Sequence, residues 1–329
     1  MSGGVVTEKK YISDLKEGDA VSRTFFLASR SRLVTRSGKP YLSLTLRDKT
    51  GTINAKVWDD ADTIHANMGS ADFVRVAGTV EKYMDELQVR VDQLKVLRTE
   101  DVDLADFLPA GTRDSDEMLD ELRGISQTIQ DRFLRAFLDL FFADADLMQR
   151  LKVSPGAKHL HHCFVGGLLE HTLSVATICD WLCEHYRNVN RDLLLAGAIL
   201  HDIGKVYELT SSPSFDYTAE GRLLGHLVIG CRIVEEKIRQ IEGFPRQLKM
   251  ELLHIILSHH GTYEFRSPVV PKTVEAMLLN QVDDLDAKVQ LTQDWIERAK
   301  DEPSEFTPYH KLLERYFYKG PSGRGKERG

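Results

Sequence analysis

Residues 198–205 read Ala198-Ile199-Leu200-His201-Asp202-Ile203-Gly204-Lys205, an apolar run that closes on a histidine–aspartate pair. The spacing predicts a helix over 191–201 ending on that pair. Outward from it the apolar residues keep helical periodicity in both directions. Upstream, Leu168, His171, Val175, Ile178 and Leu182 form one stripe. From Glu117 another runs through Leu122, Ile125, Ile129, Phe133, Phe137 and Leu140 or Phe141. Downstream, helices are expected over 223–241, 247–259 and 273–298. The C-terminal half therefore reads as an all-helical bundle.

Histidines gather in this half. Ten of the twelve fall between His159 and His260, and several sit on the apolar stripes. His171 lies in Leu168-Leu169-Glu170-His171-Thr172, His226 on the stripe of Leu223, Gly230 and Ile233, and His259-His260 after Leu248, Leu252 and Ile255. Asp283 and Asp284 fall within the last helix. A single histidine on such a stripe is ordinarily a core residue with a satisfied hydrogen bond. Several buried imidazoles and carboxylates on separate helices are another matter, because each polar group buried without a partner costs about 1–3 kcal/mol. One shared metal centre offsets that cost for all of them together. Imidazole and carboxylate donors suit Mn²⁺, Fe²⁺, Co²⁺ or Zn²⁺ better than Mg²⁺.

The N-terminal half has a different period. Leu42, Leu44 and Leu46 alternate with Ser43, Thr45 and Arg47; Ile53, Ala55 and Val57, then Val74, Val76, Gly78 and Val80, then Leu87, Val89 and Val91 do the same. Period-two alternation means strands with one buried face. Turn chemistry breaks them at Ser37-Gly38-Lys39-Pro40, Asp48-Lys49-Thr50-Gly51 and Met84-Asp85. The predicted order is a long first strand over about 20–34, two more strands, a short helix within 60–68, and two final strands. That is the order of an OB-fold, a five-stranded β-barrel that often binds oligonucleotides, although other small barrels share it. The expected organisation is a barrel over 11–98, a polar linker over 99–116, a helical domain over 117–318 and a disordered basic tail over 319–329.

The series His171, His201-Asp202, His226, His259-His260, Asp283 resembles the ligand order of the HD superfamily of helical metal-dependent phosphohydrolases. Its inner part, "GGLLEHT … AILHDIGK … GHL … LSHHG … VDDLDAK", is similar to that of the YhaM family of 3′→5′ exoribonucleases, which also place an OB-fold before an HD domain. The resemblance covers about residues 11–318. It implies that His171, His201, Asp202 and Asp283 hold one metal. Asp202 would bridge to a second on His226 and His259, and His260 would add a ligand or touch substrate. It also points to Mn²⁺, to Lys205 as a cation facing the scissile phosphate, and to release of nucleotides from the 3′ end. Asp284 and Asp286 are expected on a solvated helix face. His161 and His162 either line the substrate path, bind another metal, or are loop histidines with no role.

The rest of the composition agrees with a two-domain cytoplasmic protein. The chain has 329 residues, 42% hydrophobic and 28% charged, without an apolar run long enough to span a bilayer. Its polar start, Met1 to Lys10, lacks the apolar core of a secretory signal. Four cysteines (Cys163, Cys179, Cys183 and Cys231) show no paired zinc-ribbon spacing and suit a reducing compartment. A net charge of −7 argues against nucleic-acid binding by the whole surface, so any contact must be local. The local patch is Arg23, Arg30, Arg32, Arg36, Lys39, Arg47, Lys49 and Lys56, opposed only by Asp48. Phe25, Phe26, Tyr41, Trp58 and Tyr83 are candidate stacking platforms, with Tyr41 the best placed for exposure and one of Phe25 and Phe26 assigned to the core. Single-stranded RNA or DNA is thus the expected partner, and homo-oligomers are compatible with the composition. The rival readings are a hydrolase of small cyclic or polyphosphorylated nucleotides and a non-catalytic nucleic-acid-binding adaptor. A basic barrel disfavours the first, and a complete ligand series disfavours the second.

Overall fold

The structure is a computed structural model that describes residues 10–69, 71–84, 86–98, 101–102, 106–107, 113–156, 164–210, 216–264, 267–300 and 303–320. The expected tail beyond Gly320, His161, His162, Cys163, Asp85 and much of the expected linker lie outside these residues.

Five strands close a barrel in the order β1-β2-β3-β5-β4: β1 (Ala20–Val34), β2 (Pro40–Asp48), β3 (Gly51–Val57), β4 (Phe73–Tyr83) and β5 (Glu86–Leu97). β1 is long enough to pair with β4 through its first half and β2 through its second. β3 and β5 run parallel and close the barrel, while the other neighbours are antiparallel. This is the OB-fold. The alternation seen in the sequence becomes its interior: Leu42, Leu44, Leu46, Ile53, Ala55, Val57, Val74, Val76, Val80, Val89 and Val91 form one buried cluster. Helix α1 (Ala61–Asn67) follows β3, with Ala61 and Met68 buried in that cluster.

Phe25 and Phe26 correct an expectation, because both are core. Phe25 fills the barrel, and Phe26 packs outside it in a separate cluster with Phe73 and Phe107. The ring of Phe107, from the segment expected to be a polar linker, lies 5.1 Å from that of Phe73 and covers this outer face. Tyr41 is half-buried rather than free, its ring stacked on Trp58 at 4.8 Å and 25°.

The second unit is helical: α2 (Ser115–Gln127), α3 (Arg132–Phe142), α4 (Ala145–Val153), α5 (Gly167–His185), α6 (Arg191–Leu200), α7 (Lys205–Glu208), α8 (Ala219–Ile238), α9 (Arg246–Ser258) and α10 (Val274–Arg298). The stripe from Leu122 to Phe141 is divided between α2 and α3. The break has a clear cause. Asp131 caps α3 by accepting from the backbone N–H groups of Phe133 and Leu134, both at 2.9 Å. The Asp192 carboxylate accepts the N–H groups of Gln130 and Asp131 at 2.8 and 2.6 Å, which holds the chain out of helical conformation. α5 packs on α2, α6 and α10, and α9 on α6, α8 and α10. One continuous core joins them, from Met118 and Leu122 through Leu168 and Ile199 to Ile255 and Val282.

Candidate metal centre

Two helices reach the centre by the same local device. α6 ends at His201 and α9 at His259, where the last carbonyls lack intrahelical partners. His201 Nδ1 donates to the Ala198 carbonyl and His259 Nδ1 to that of Ile256, each at 2.8 Å. Each ring thereby caps its own helix and turns Nε2 inward. His171, on α5, donates Nδ1–H to Asp286 at 2.7 Å, and His226, on α8, donates Nδ1–H to Glu208 at 3.1 Å. A neutral imidazole that donates at Nδ1 carries its lone pair on Nε2. Four such lone pairs therefore converge.

Asp202 stands between them, 2% exposed. Its Oδ2 lies 3.5 Å from His201 Nε2 and 3.8 Å from His171 Nε2, and its Oδ1 lies 3.5 Å from both His226 Nε2 and His259 Nε2. Asp283, from α10, places Oδ1 3.1 Å from His171 Nε2. His260 Nε2 is 3.3 Å from His226 Nε2. The donors fall into two groups, His171, His201 and Asp283 on one side and Asp202, His226, His259 and His260 on the other, with the donor atoms of each group within 4.8 Å of one another. Asp202 also approaches the first group, since its other oxygen lies near His201 and His171.

These residues fit a metal. Asp202 Oδ1 and His259 Nε2 are buried without a hydrogen-bond partner, and both are acceptors facing acceptors. Only a cation or extra protons can satisfy such a set. Burial opposes protonation of His171, but Asp283 and Asp286 outweigh it and push its pKa up to about 9. Without a cation a proton therefore sits on Nε2 against Asp283, and a metal ion would take that proton's place and use the lone pair. Burial takes His259 down to about 4, against the pull of Asp202. Burial works against ionisation of Asp202, yet Lys205 and His201 hold it well below the usual carboxylate range.

Lys205 is tied to the centre's wall. Its ammonium donates to Asp202 Oδ2 at 2.5 Å and to the Gly156 carbonyl at 2.9 Å. Gly204, just before it, is where helices meet: a Cβ there would fall 2.0 Å from the His226 carbonyl oxygen. Gly225 interrupts α8 with φ 73° and ψ 156°, a conformation that favours glycine, and sets His226 at the start of a new helical run.

The structure brings together every ligand expected from the sequence. Asp286, expected on a solvated helix face, instead bonds His171 and Ser174; Asp284 does face solvent, paired with Lys288 at 2.6 Å. The structure adds Glu208. The helical spacing of Asp283 and Asp286, one turn apart, was a usable signal for Asp286. No local signal marks Glu208, because its partner His226 lies 18 residues on, at the break in α8.

On the barrel, the expected basic set is divided between two faces. Tyr41, Ser43, Thr45 and Arg47 of β2 point outward, and Lys56 of β3 joins them by pairing with Ser43. Arg90 of β5, opposite Lys56 in the parallel register, belongs to the same face and was not singled out in the sequence. Arg47 is half-buried over the Phe26 ring, 4.6 Å from its centre. Arg30 and Arg32 pair in register with the inward Leu44 and Leu42, so they turn toward α1, where Arg30 reaches the Gly69 carbonyl and Arg32 bonds Asp62 at 2.5 Å. Lys39 pairs with Asp59 at 2.9 Å, and Arg36 is exposed on the β1–β2 turn.

Comparison with known proteins agrees with both units. Residues 168–288 match the model of the HD domain, and residues 26–97 that of an OB-fold nucleic acid binding domain. The chain is 33% identical over 312 residues to the 3′-5′ exoribonuclease YhaM of Geobacillus sp. (strain WCH70), covering 94% of this chain and 95% of that protein. It is 34% identical over 311 residues to that of Bacillus subtilis (strain 168), covering 92% and 95%. The Listeria monocytogenes serotype 4b (strain F2365) protein of the same name is 33% identical over 310 residues, covering 91% and 94%.

Proposed function

We propose, from the premise that this chain belongs to the family of YhaM 3′-5′ exoribonucleases, that it shortens single-stranded RNA from the 3′ end by metal-dependent hydrolysis at the centre around Asp202. The observation that carries this reading is the convergence of four Nε2 lone pairs on the two oxygens of Asp202, with two of the acceptor atoms buried and unpaired.

His171, His201, Asp202 and Asp283 would hold one divalent ion, and Asp202, His226, His259 and His260 a second. Such ions activate water and neutralise charge on phosphoryl oxygens, and imidazole-rich donors favour Mn²⁺ or a neighbouring transition metal. Asp202 supplies one oxygen to each side and stays ionised because Lys205 is bonded to it. Lys205 thereby orients Asp202, and its ammonium lies beside the centre where a phosphate would sit. The Nδ1 bonds of the four histidines fix which nitrogen faces inward before any ligand arrives. That preorganisation removes a reorganisation cost at the moment of reaction.

The outer face of the barrel would hold the RNA by backbone charge from Arg47, Lys56 and Arg90 and by stacking on Tyr41 and Trp58. Arg36 and Lys39 extend it along the β1–β2 turn, whereas Arg30 and Arg32 are engaged on the α1 side and lie off this face. A cytoplasmic setting fits the free thiols of Cys179, Cys183 and Cys231. Among the described residues no helix is long and apolar enough to cross a membrane.

The test uses the chelated, Mn²⁺-reloaded protein with a 5′-labelled single-stranded RNA. The expected result is a ladder shortening from the 3′ end with the label retained. An intact oligomer beside hydrolysed mononucleotides would overturn the reading in favour of a small-nucleotide hydrolase.

A further inference from the structure

Two carboxylates outside the ligand series stand directly behind it, one on each side. Asp286 lies one helical turn beyond the ligand Asp283 on α10. Its Oδ2 accepts Nδ1–H of His171 at 2.7 Å, and its Oδ1 accepts the hydroxyl of Ser174 at 2.5 Å. Ser174 is itself one turn beyond His171 on α5, so a ligand and its support face a ligand and its support across two helices.

Glu208, at the end of α7, does the same work by another route. Gly225 breaks α8, which leaves the N–H of His226 at the start of a helical run without an intrahelical acceptor. Glu208 Oε1 takes that N–H at 3.0 Å and the ring Nδ1–H of the same residue at 3.1 Å. One carboxylate therefore fixes both the backbone and the tautomer of His226, and its charge suits a helix N-terminus. The arrangement is held from outside: Thr218 caps α8 through Gly221 N–H at 2.9 Å, and its own N–H donates to the Glu208 carbonyl at 2.9 Å.

We infer that Asp286 and Glu208 are positioning residues that separately govern the two halves of the centre. Asp286 sets the half formed by His171, His201 and Asp283. Glu208 sets the half formed by His226, His259 and His260, and Asp202 is common to both. This rests on the two-metal reading proposed above. Carboxylates that orient metal-binding histidines typically contribute about 10–100-fold in metal affinity. Here the two contributions fall on different ions.

The experiment titrates Mn²⁺ into the chelated full-length protein, read by calorimetry and by electron paramagnetic resonance. Wild type should take two equivalents and give the spectrum of a coupled ion pair. Glu208→Ala should keep one event at wild-type affinity, weaken the other about 10–100-fold, and leave the signal of an isolated ion. Asp286→Ala should weaken the other event instead. Glu208→Gln retains an oxygen that accepts both N–H bonds and should stay within a few-fold of wild type. Urea unfolding checks that each variant is folded. A wild-type stoichiometry of one overturns the two-metal reading itself. Two equivalents in wild type with Glu208→Ala unchanged overturns the positioning role alone. Equal weakening of both events in either variant also overturns it, because a merely structural defect would act on both.

Discussion

Asp202 Oδ1 lies 3.5 Å from His259 Nε2, both atoms are buried, and neither has a hydrogen-bond partner. Since His259 Nδ1 is already committed to the Ile256 carbonyl, Nε2 presents a lone pair to an ionised oxygen. This contact is unfavourable unless something positive lies between or beside the two.

Removing metal should therefore cost stability. A ligand bound only by the folded state at 100 times its Kd stabilises by about 2.7 kcal/mol. For a domain of this size, that corresponds to roughly 5–10 °C in Tm. Thermal unfolding before and after chelation should show a drop of this order, reversed by Mn²⁺ and not by Mg²⁺. An unchanged Tm would mean that the buried acceptors are satisfied some other way.

Replacement of Asp202 separates cutting from holding. Asp202→Asn removes the oxygen charge shared by both halves and leaves Lys205 without its anion, so RNA shortening should fall by at least about 10³-fold. His201→Ala should do the same. Binding of an oligonucleotide, followed by fluorescence anisotropy, should stay within a few-fold for both. A parallel loss of binding would contradict the division of labour between barrel and helical unit.

The two faces of the barrel make distinct predictions. Lys56→Ala and Arg90→Ala should each lower the salt slope of single-strand binding by about 0.7, and Trp58→Ala should cost about 1–3 kcal/mol of affinity. Arg32→Ala, whose guanidinium is engaged by Asp62 on the α1 side, should change binding little. Should Arg32→Ala weaken binding more than Lys56→Ala, the RNA face has been placed on the wrong side.

Gly204 offers a packing test. A Cβ there would meet the His226 carbonyl oxygen at 2.0 Å and the Gly230 nitrogen at 2.7 Å, both backbone atoms that cannot swing aside. Gly204→Ala should destabilise by about 1–3 kcal/mol or more in urea unfolding and weaken metal binding by displacing His226. Full stability together with full metal affinity would show that α8 can shift freely.

The candidate ligands are legible because they interrupt a strong pattern. Imidazoles at His171, His201, His226 and His259 occupy apolar stripe positions, so they had to be inside, and burial of that many polar groups on separate helices demanded a common partner. The barrel was legible for a similar reason, since Leu42, Leu44 and Leu46 alternate with polar residues over a whole strand. Phe25 and Phe26 misled because alternation predicts one covered face, whereas Phe107 covers the other.

His201-Asp202 and its companions could thus be read as a metal centre from residue type, order and helical period, which are properties of the chain. Which oxygen of Asp202 faces which histidine, and that Glu208 and Asp286 stand behind the ligands, depend on distances between helices far apart in sequence. The same holds for the separation of Arg30 and Arg32 from Lys56, which turns on strand register rather than composition. Local periodicity fixes which face of an element is buried; only packing of one element on another decides what that face meets.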